Sequence, residues 1–416
     1  MSGTDSPTRG LRLALPWGVV LAVSAAATGP SYADEPAPTQ ACAWKVVSAP
    51  SPGIGSVVLR GLDALGPRNV WAVGSKNAQG ATLVEHWNGT KWSVVTSPNK
   101  SGFTQLEDVT AISSDNVWAV GFYVPSGGSH PKTLIEHWNG TKWSVVASPN
   151  PIAGSNLLFG VDAVSAKNIW AVGGDNLDPN VGSKQITLQW NGSAWRERSG
   201  LSIESGPQDV AAIEATNVVA VGHTGTVGSS TPLIQRYNGS GWNSVAPGTS
   251  STGAHLQAVS AKGPSGQWAV GQRSGNAALQ TLTLRNTGSG WQEVPGANSS
   301  STLINILHGV TALSGNEAWA VGYHENDSFV HRTMVQHFAN GAWSIVPAQT
   351  QPRRAPTCST SRPRAVTCGR SATSPTAAAS TRSSRAAAAD NIWVSSVHRA
   401  GRVSFDCHVQ AQAVIN

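Results

Sequence analysis

From Leu106 to Ser113 the chain alternates apolar and polar residues, as a strand with one buried face does. After a Ser114-Asp115 turn the alternation resumes at Asn116–Phe122, with Val117, Ala119 and Gly121 on one face and Trp118 and Val120 on the other. A Gly/Ser/Pro-rich loop, 125–131, separates this second strand from a third at Thr133–Trp138 and a fourth at Thr141–Ser148. Asn139-Gly140 joins the last two. This dipeptide suits a type I′ hairpin turn, which needs positive φ at both central residues. Four antiparallel strands of this kind are the sheet unit of a propeller blade.

The pattern repeats. Trp-Ala-Val-Gly, or a close variant, ends at Gly74, Gly121, Gly173, Gly222, Gly271 and Gly322, with spacings of 47, 52, 49, 49 and 51 residues. A period of this length marks a radial or stacked array. Fourth strands begin at Trp44, Trp92, Trp143, Trp195, Trp242, Trp291 and Trp343, which makes seven. The expectation is an all-β, seven-bladed β-propeller of four-stranded antiparallel blades. Its closing blade is shared by both chain ends, and the Trp44 strand pairs in it. Closure of that kind removes free sheet edges. The second-strand tryptophans Trp71, Trp118, Trp170, Trp268 and Trp319 are expected between blades, as are the aromatics that flank each hairpin. Those hairpin aromatics have a rival reading as stacking platforms for sugars, which is less favoured because they recur in every blade.

The seventh second strand is due near residue 372 and is missing there. Residues 356–384 are rich in Arg, Ser, Thr, Pro and Ala and lack strand periodicity. Their composition reads as a linker, but back-translation offers a second reading. In a shifted frame, Arg364–Ala372 can encode Arg-Asp-Val-Trp-Ala-Val-Gly, so the segment is also read as an out-of-frame seventh blade. The expected organisation is a signal peptide at 1–33, a propeller at 34–348 (closing strand 42–48 and six blades), an irregular segment at 349–390 and remnant strands of the closing blade at 391–416. Four Cys allow three pairings. Cys42 and Cys407, at the two ends that should meet, are the candidate disulfide.

Charge changes the picture little. The chain carries +6 overall, and residues 351–385 hold seven Arg and no Asp or Glu, so the remainder sums to −1. No basic stripe suited to phosphates is left, and no nucleic-acid partner is expected. Arg9 and Arg12, the apolar run Leu13–Ala27 and the small-x-small site Ser31-Tyr32-Ala33 read as a cleaved secretory signal, with an uncleaved anchor as the alternative. The expected product is a secreted, extracellular monomer, off the membrane once the signal is removed.

Candidate chemistry is sparse. Glu85-His86 and Glu136-His137 could be acid–base or metal pairs, but the equivalent positions elsewhere are Leu188-Gln189, Gln235-Arg236, Leu284-Arg285 and Gln336-His337. Equivalent positions on different blades are spread around a ring, whereas a metal needs convergent ligands. His324, His331 and His337 show no ligand spacing. Asp63, Asp108, Asp162 and Asp209 sit in first strands and could line the channel or accept from turn amides. No Asp-x-Asp-x-Asp loop, Gly-x-Ser-x-Gly or P-loop occurs. Asn88, Asn139, Asn191 and Asn238 fit the glycosylation sequon, but each is sufficiently explained as a turn residue. No catalytic residue, metal ligand or cofactor is assigned.

The Val-Trp-Ala-Val-Gly and Glu-His-Trp-Asn-Gly-Thr-x-Trp repeats, closest in Glu85–Trp92 and Glu136–Trp143, resemble those of a group of secreted bacterial β-propeller proteins over nearly all of residues 42–348. A more distant likeness is to Asp-box propellers, whose Asp is Asn88 and Asn139 here, and to kelch propellers, whose adjacent glycines are not repeated. The resemblance implies the fold and transfers no active site. Two functions follow as expectations: a non-enzymatic binding or scaffold module for an extracellular glycan or protein, favoured, or a polysaccharide hydrolase or lyase working at the channel.

Overall fold

The computed structural model describes residues 47–52, 57–76, 80–175, 184–201, 205–225, 229–348 and 395–398. Blade 1 is β1 (Val57–Gly66), β2 (Asn69–Lys76), β3 (Ala81–Trp87) and β4 (Trp92–Val94); blade 2 is β5 (Gly102–Ser113), β6 (Asn116–Pro125), β7 (Lys132–Trp138) and β8 (Trp143–Val145). Blade 3 is β9 (Leu157–Ser165), β10 (Asn168–Gly174), β11 (Gln185–Trp190) and β12 (Trp195–Glu197); blade 4 is β13 (Ser205–Glu214), β14 (Asn217–Thr224), β15 (Thr231–Tyr237) and β16 (Trp242–Ser244). Blade 5 is β17 (His255–Ala261), β18 (Gln267–Ser274), β19 (Leu279–Asn286) and β20 (Trp291–Glu293); blade 6 is β21 (Asn305–Ser314), β22 (Glu317–Glu325), β23 (His331–Ala339) and β24 (Ala342–Val346). Within each blade every strand pairs antiparallel with the next in sequence.

Among the described residues the expected seven blades are corrected to six. The seventh was counted from a fourth strand at Trp44, which lies outside the described residues, as do Cys42, Cys407 and the segment 349–394. Residues 47–52 are not strand, and Val47 and Ala49 pack against the Leu62, Val70, Ala72, Trp87 and Trp92 face of blade 1. In place of a further blade, the short β25 (Ser395–His398) joins the inner edge of β1 in parallel, with Gly61 opposite Ser395 and Asp63 opposite His398. It also lies against β17 and β21.

The tryptophans behave as the repeat demands wherever a blade follows. Trp71 packs on Trp138 and Trp143 of blade 2, at centroid distances of 5.3 and 5.5 Å. Trp118 meets Trp190 and Trp195, Trp170 meets Tyr237 and Trp242, and Trp268 meets Phe338 and Trp343. These four second-strand tryptophans are 0–3% exposed. Val219 replaces the tryptophan in blade 4 and packs in an aliphatic cluster with Leu256, Val259 and Trp291. Trp319 departs from expectation: it is only half-buried, and among the described residues no further four-stranded sheet follows blade 6. The hairpin aromatics are therefore packing residues and not exposed platforms, set between blades except in blade 1, where Trp87 and Trp92 pack with Val47 and Ala49.

The type I′ expectation holds once. Trp87 pairs with Trp92 and Trp138 with Trp143, so the Asn-Gly-Thr-Lys loops have four residues. In them only Gly89 and Gly140 have positive φ, while the Asn side chain does the closing: Thr90 N–H and Lys91 N–H both donate to Asn88 Oδ1. Asn340-Gly341, a two-residue link between Ala339 and Ala342, has positive φ at both positions (54° and 83°) and is the one I′ turn of the set.

The glycine of Trp-Ala-Val-Gly has a different task. In every blade the first strand carries a β-bulge opposite the Val-Gly step. There the backbone crowds the glycine. A Cβ on Gly74, Gly121, Gly173, Gly222, Gly271 or Gly322 would be driven into the carbonyl oxygen of Val58, Gln105, Leu157, Gly206, His255 or Ile306 respectively. Only a residue without a side chain admits this approach.

Two expected outcomes follow, both read by equilibrium urea unfolding. Gly121→Ala lowers stability by about 1–3 kcal/mol through overpacking, whereas Gly66→Ala, where an added Cβ meets nothing within 4 Å, leaves it unchanged or raises it slightly. Trp118→Ala costs about 3–5 kcal/mol, and Trp319→Ala clearly less.

Candidate functional site: the bulge ring at the propeller axis

A bulge interrupts the two-residue alternation and re-aims the extra side chain. The extra residues are Arg60, Glu107, Phe159, Gln208, Gln257 and His308, one per blade, each on the innermost strand. All six are partly buried. The strand faces that pack on neighbouring blades are filled by the apolar clusters, and the bulge residues stand apart from them. The Trp-Ala-Val-Gly strand they lie opposite is close to uniform, whereas the bulge position differs in nearly every blade.

The ring is chemically mixed. Arg60 Nη1 lies 3.6 Å from Glu107 Oε2, joining blades 1 and 2 across their inner strands. Gln105 Nε2 donates to the other Glu107 oxygen. Burial raises the Glu107 carboxyl above its ordinary range, and Arg60 and Gln105 pull it part of the way back. His308 stacks on Tyr323 at 5.7 Å, and burial drives its imidazole down to about 3, so it is neutral at physiological pH. A histidine pair sits toward the same end: the rings of His223 and His255 lie 4.2 Å apart, tilted by 34°, across blades 4 and 5, and Ser230 Oγ is 2.7 Å from His255 Nε2. Burial, and secondarily His255, lowers His223 to about 4.

At the opposite end of the inner strands a cavity of about 210 Å³ is lined by Asp162, Ala211, Ser260, Lys262 and Thr311, among others. Its two best-placed polar groups are already engaged. Asp162 Oδ2 accepts from Ala212 N–H at 2.7 Å, and Ser260 Oγ accepts from Ala312 N–H at 3.1 Å.

Those bonds belong to a series. Asp63 Oδ2 accepts from Ala111 N–H of blade 2, Asp108 from Val161 of blade 3, and Asp209 from Val259 of blade 5, all at 2.7–2.9 Å. The first-strand aspartates thus accept backbone amides, as one of the two sequence readings held. The amides lie on the next blade's inner strand and not in turns.

The Glu–His pairs do not form acid–base pairs. Adjacent strand residues point to opposite faces. His86 stacks on Trp71 at 4.4 Å with Nε2 2.8 Å from Asn69 Oδ1, and His137 does the same on Trp118 and Asn116. Glu85 and Glu136 are fully buried, and neither carboxyl has a hydrogen-bond partner. Burial pushes Glu85 up to about 7 and Glu136 up to about 8. In blade 6, His337 stacks on Trp319, His331 pairs with Glu325 at 3.5 Å, and His324 turns to the Glu325 carbonyl. Among the described residues no three His, Cys, Asp or Glu converge as metal ligands.

The bulge residues were not singled out from sequence, although a signal exists. In Leu59-Arg-Gly-Leu62, Leu106-Glu-Asp-Val109, Leu158-Phe-Gly-Val161, Leu256-Gln-Ala-Val259 and Leu307-His-Gly-Val310 the apolar spacing slips from two to three. That slip marks an inserted strand residue.

No family model matches the chain, and no curated protein matches it in sequence. Similar solved structures include YCF48 bound to a D1 peptide, at 12% identity and TM-score 0.36 over 67% of this chain and 91% of that one. An ulvan lyase of polysaccharide lyase family PL25 is similar at 10% identity and TM-score 0.44, over 74% and 85% of the two chains. A GH74 xyloglucanase from Xanthomonas campestris is similar at 13% identity and TM-score 0.47; 73% of this chain spans 47% of that one. None of these identities is high enough to transfer a residue or an activity.

The buried glutamates set a pH dependence. An unfolded carboxyl titrates near 4.5, while the folded ones hold their protons to about 7 and 8. Between those limits the folded state binds more protons, so stability falls as pH rises, by up to about 1.4 kcal/mol per pH unit per carboxyl, and levels off above pH 8. Below about pH 6.5 the depressed histidines, which charge only on unfolding, act in the opposite sense, so urea midpoints measured from pH 7 to 9 should show this decline, and Glu136→Gln should flatten it.

Proposed function

We propose that this protein is a secreted, non-enzymatic propeller that binds an extracellular ligand over the axial ring formed by Arg60, Glu107, Phe159, Gln208, Gln257 and His308. The observation that carries the reading is the contrast between the near-uniform Trp-Ala-Val-Gly strand and the variable bulge position beside it. The recurring polar groups are occupied in the fold: the first-strand aspartates hold backbone amides, and the strand histidines stack on tryptophans. Side chains that differ from blade to blade give the axis a surface that a repeat alone would not have.

The ring also argues against the hydrolase reading. Glycoside hydrolysis generally uses two carboxyls flanking the bond. Among the bulge residues Glu107 is the only carboxyl, and it is engaged by Arg60 and Gln105. The test has two arms: a glycan and peptide array probed with the purified protein, and incubation with a panel of extracellular polysaccharides followed by analysis of chain length. Retention on the array with no change in chain length is expected. Depolymerisation of any polysaccharide would contradict the proposal.

A further inference from the structure

Resting on that reading, we infer that the ligand is an extended peptide, added as a parallel strand to the inner edge of β1 beside the Arg60 bulge, where β25 stands as a short internal substitute. Three observations on the seam between blades 6 and 1 carry the assignment. First, the seam is held apart. In every other neighbouring pair of blades the inner strands pack directly on each other, whereas β21 and β1 are bridged by β25, which lies against both. Second, the seam lacks the ties of the others. Asp63, Asp108, Asp162, Asp209 and Ser260 each hold an amide of the next inner strand. In blade 6 Thr311 stands at that register, opposite Trp319, and among the described residues it holds no such amide. Trp319 itself stacks on His337 of its own blade and is half-buried, where Trp71, Trp118, Trp170 and Trp268 insert into the following blade.

Third, this edge accepts a strand already, and a poorly matched one. β1 runs from Val57 to Gly66, but β25 pairs only with Gly61, Leu62 and Asp63, starting next to the bulge, and its register slips within that span. A sheet edge longer than its partner is a template for a better-fitting strand. Main-chain pairing supplies the affinity in that mode, so an extended peptide is the chemistry the edge recognises. β25 is tethered to blade 6 through residues 347–394 and competes as an intramolecular ligand. A free peptide therefore binds the parent chain weakly, and more tightly once β25 is disabled.

The experiment uses the full chain and a fluorescent peptide with the sequence of residues 391–402, read by anisotropy. Ser396→Pro combined with Val397→Pro removes whichever β25 amide faces β1, because neighbouring strand amides alternate in direction. This double variant is expected to bind the peptide about tenfold or more tightly than the parent, as an internal competitor that leaves about a tenth of the sites accessible requires. The same peptide N-methylated at both positions is expected not to bind. Thermal melting checks the variant. Where it does not fold, hydrogen exchange of the parent chain takes its place, and saturating peptide should strip protection from the Ser396 and Val397 amides. Equal affinity of parent and variant, binding that survives N-methylation, or β25 amides unmoved by the peptide would overturn the site. No peptide binding by a protein that the glycan array retains would overturn the peptide class and leave the binding reading standing. No retention of any probe would overturn the binding reading itself.

Discussion

The innermost strand of a propeller blade has a neighbour on one side only, so alternate backbone amides on its other edge point inward, away from any strand of its own blade. Buried there without partners, they would cost more than the hydrogen bonds of a surface turn contribute. This chain meets the constraint with a side chain from the preceding blade. Asp63, Asp108, Asp162 and Asp209 each reach across one interface to an amide of the next inner strand, and Ser260 does the same between blades 5 and 6. The positions alternate: Asp63 and Asp162 lie opposite the second-strand Trp, Asp108 and Asp209 opposite the Val two residues on. The small residue at the vacated register, Gly61 or Gly160, lies directly against the partner blade's Asp108 or Asp209. Each blade is therefore shaped to its neighbour.

The same strands carry the bulges, and the two features depend on each other. The bulge shifts the strand register at the Val-Gly step, the motif glycine admits the close backbone approach, and the displaced residue leaves the two-residue alternation. The packing that holds the blades at this spacing is aromatic and lies farther out, where Trp71, Trp118, Trp170 and Trp268 insert between the hairpin aromatics of the following blade. Among the described residues blade 1 receives no carboxylate from blade 6, where Thr311 stands opposite the second-strand Trp. Its inner edge is paired instead by β25.

The period, the strand order within a blade and the buried tryptophans were legible in the sequence because each rests on a pattern that recurs about every 50 residues. Blade number was less so. Counting Trp44 as a fourth strand assumed that a Trp followed by alternating residues must pair, whereas Val47 and Ala49 just beyond it pack on a face of blade 1 without forming a strand. Asn-Gly was read as a two-residue turn, but in Asn88-Gly-Thr-Lys91 the side-chain acceptor stabilises a longer loop, and only Asn340-Gly341 matches the shorter one. Glu85-His86 looked like a chemical pair because it is adjacent in sequence; strand geometry sends the two side chains apart. The ring escaped notice for the opposite reason: its residues differ from blade to blade, and only the spacing around them repeats.

The amide-to-carboxylate links between blades are most directly tested by site-resolved hydrogen exchange of the Asp162→Ala variant. If these links cap the inner edge, the Ala212 amide loses protection by about tenfold or more, while the Val259 amide, held by Asp209 one interface away, keeps its own. An Ala212 amide that exchanges as slowly in the variant as in the parent would contradict the account.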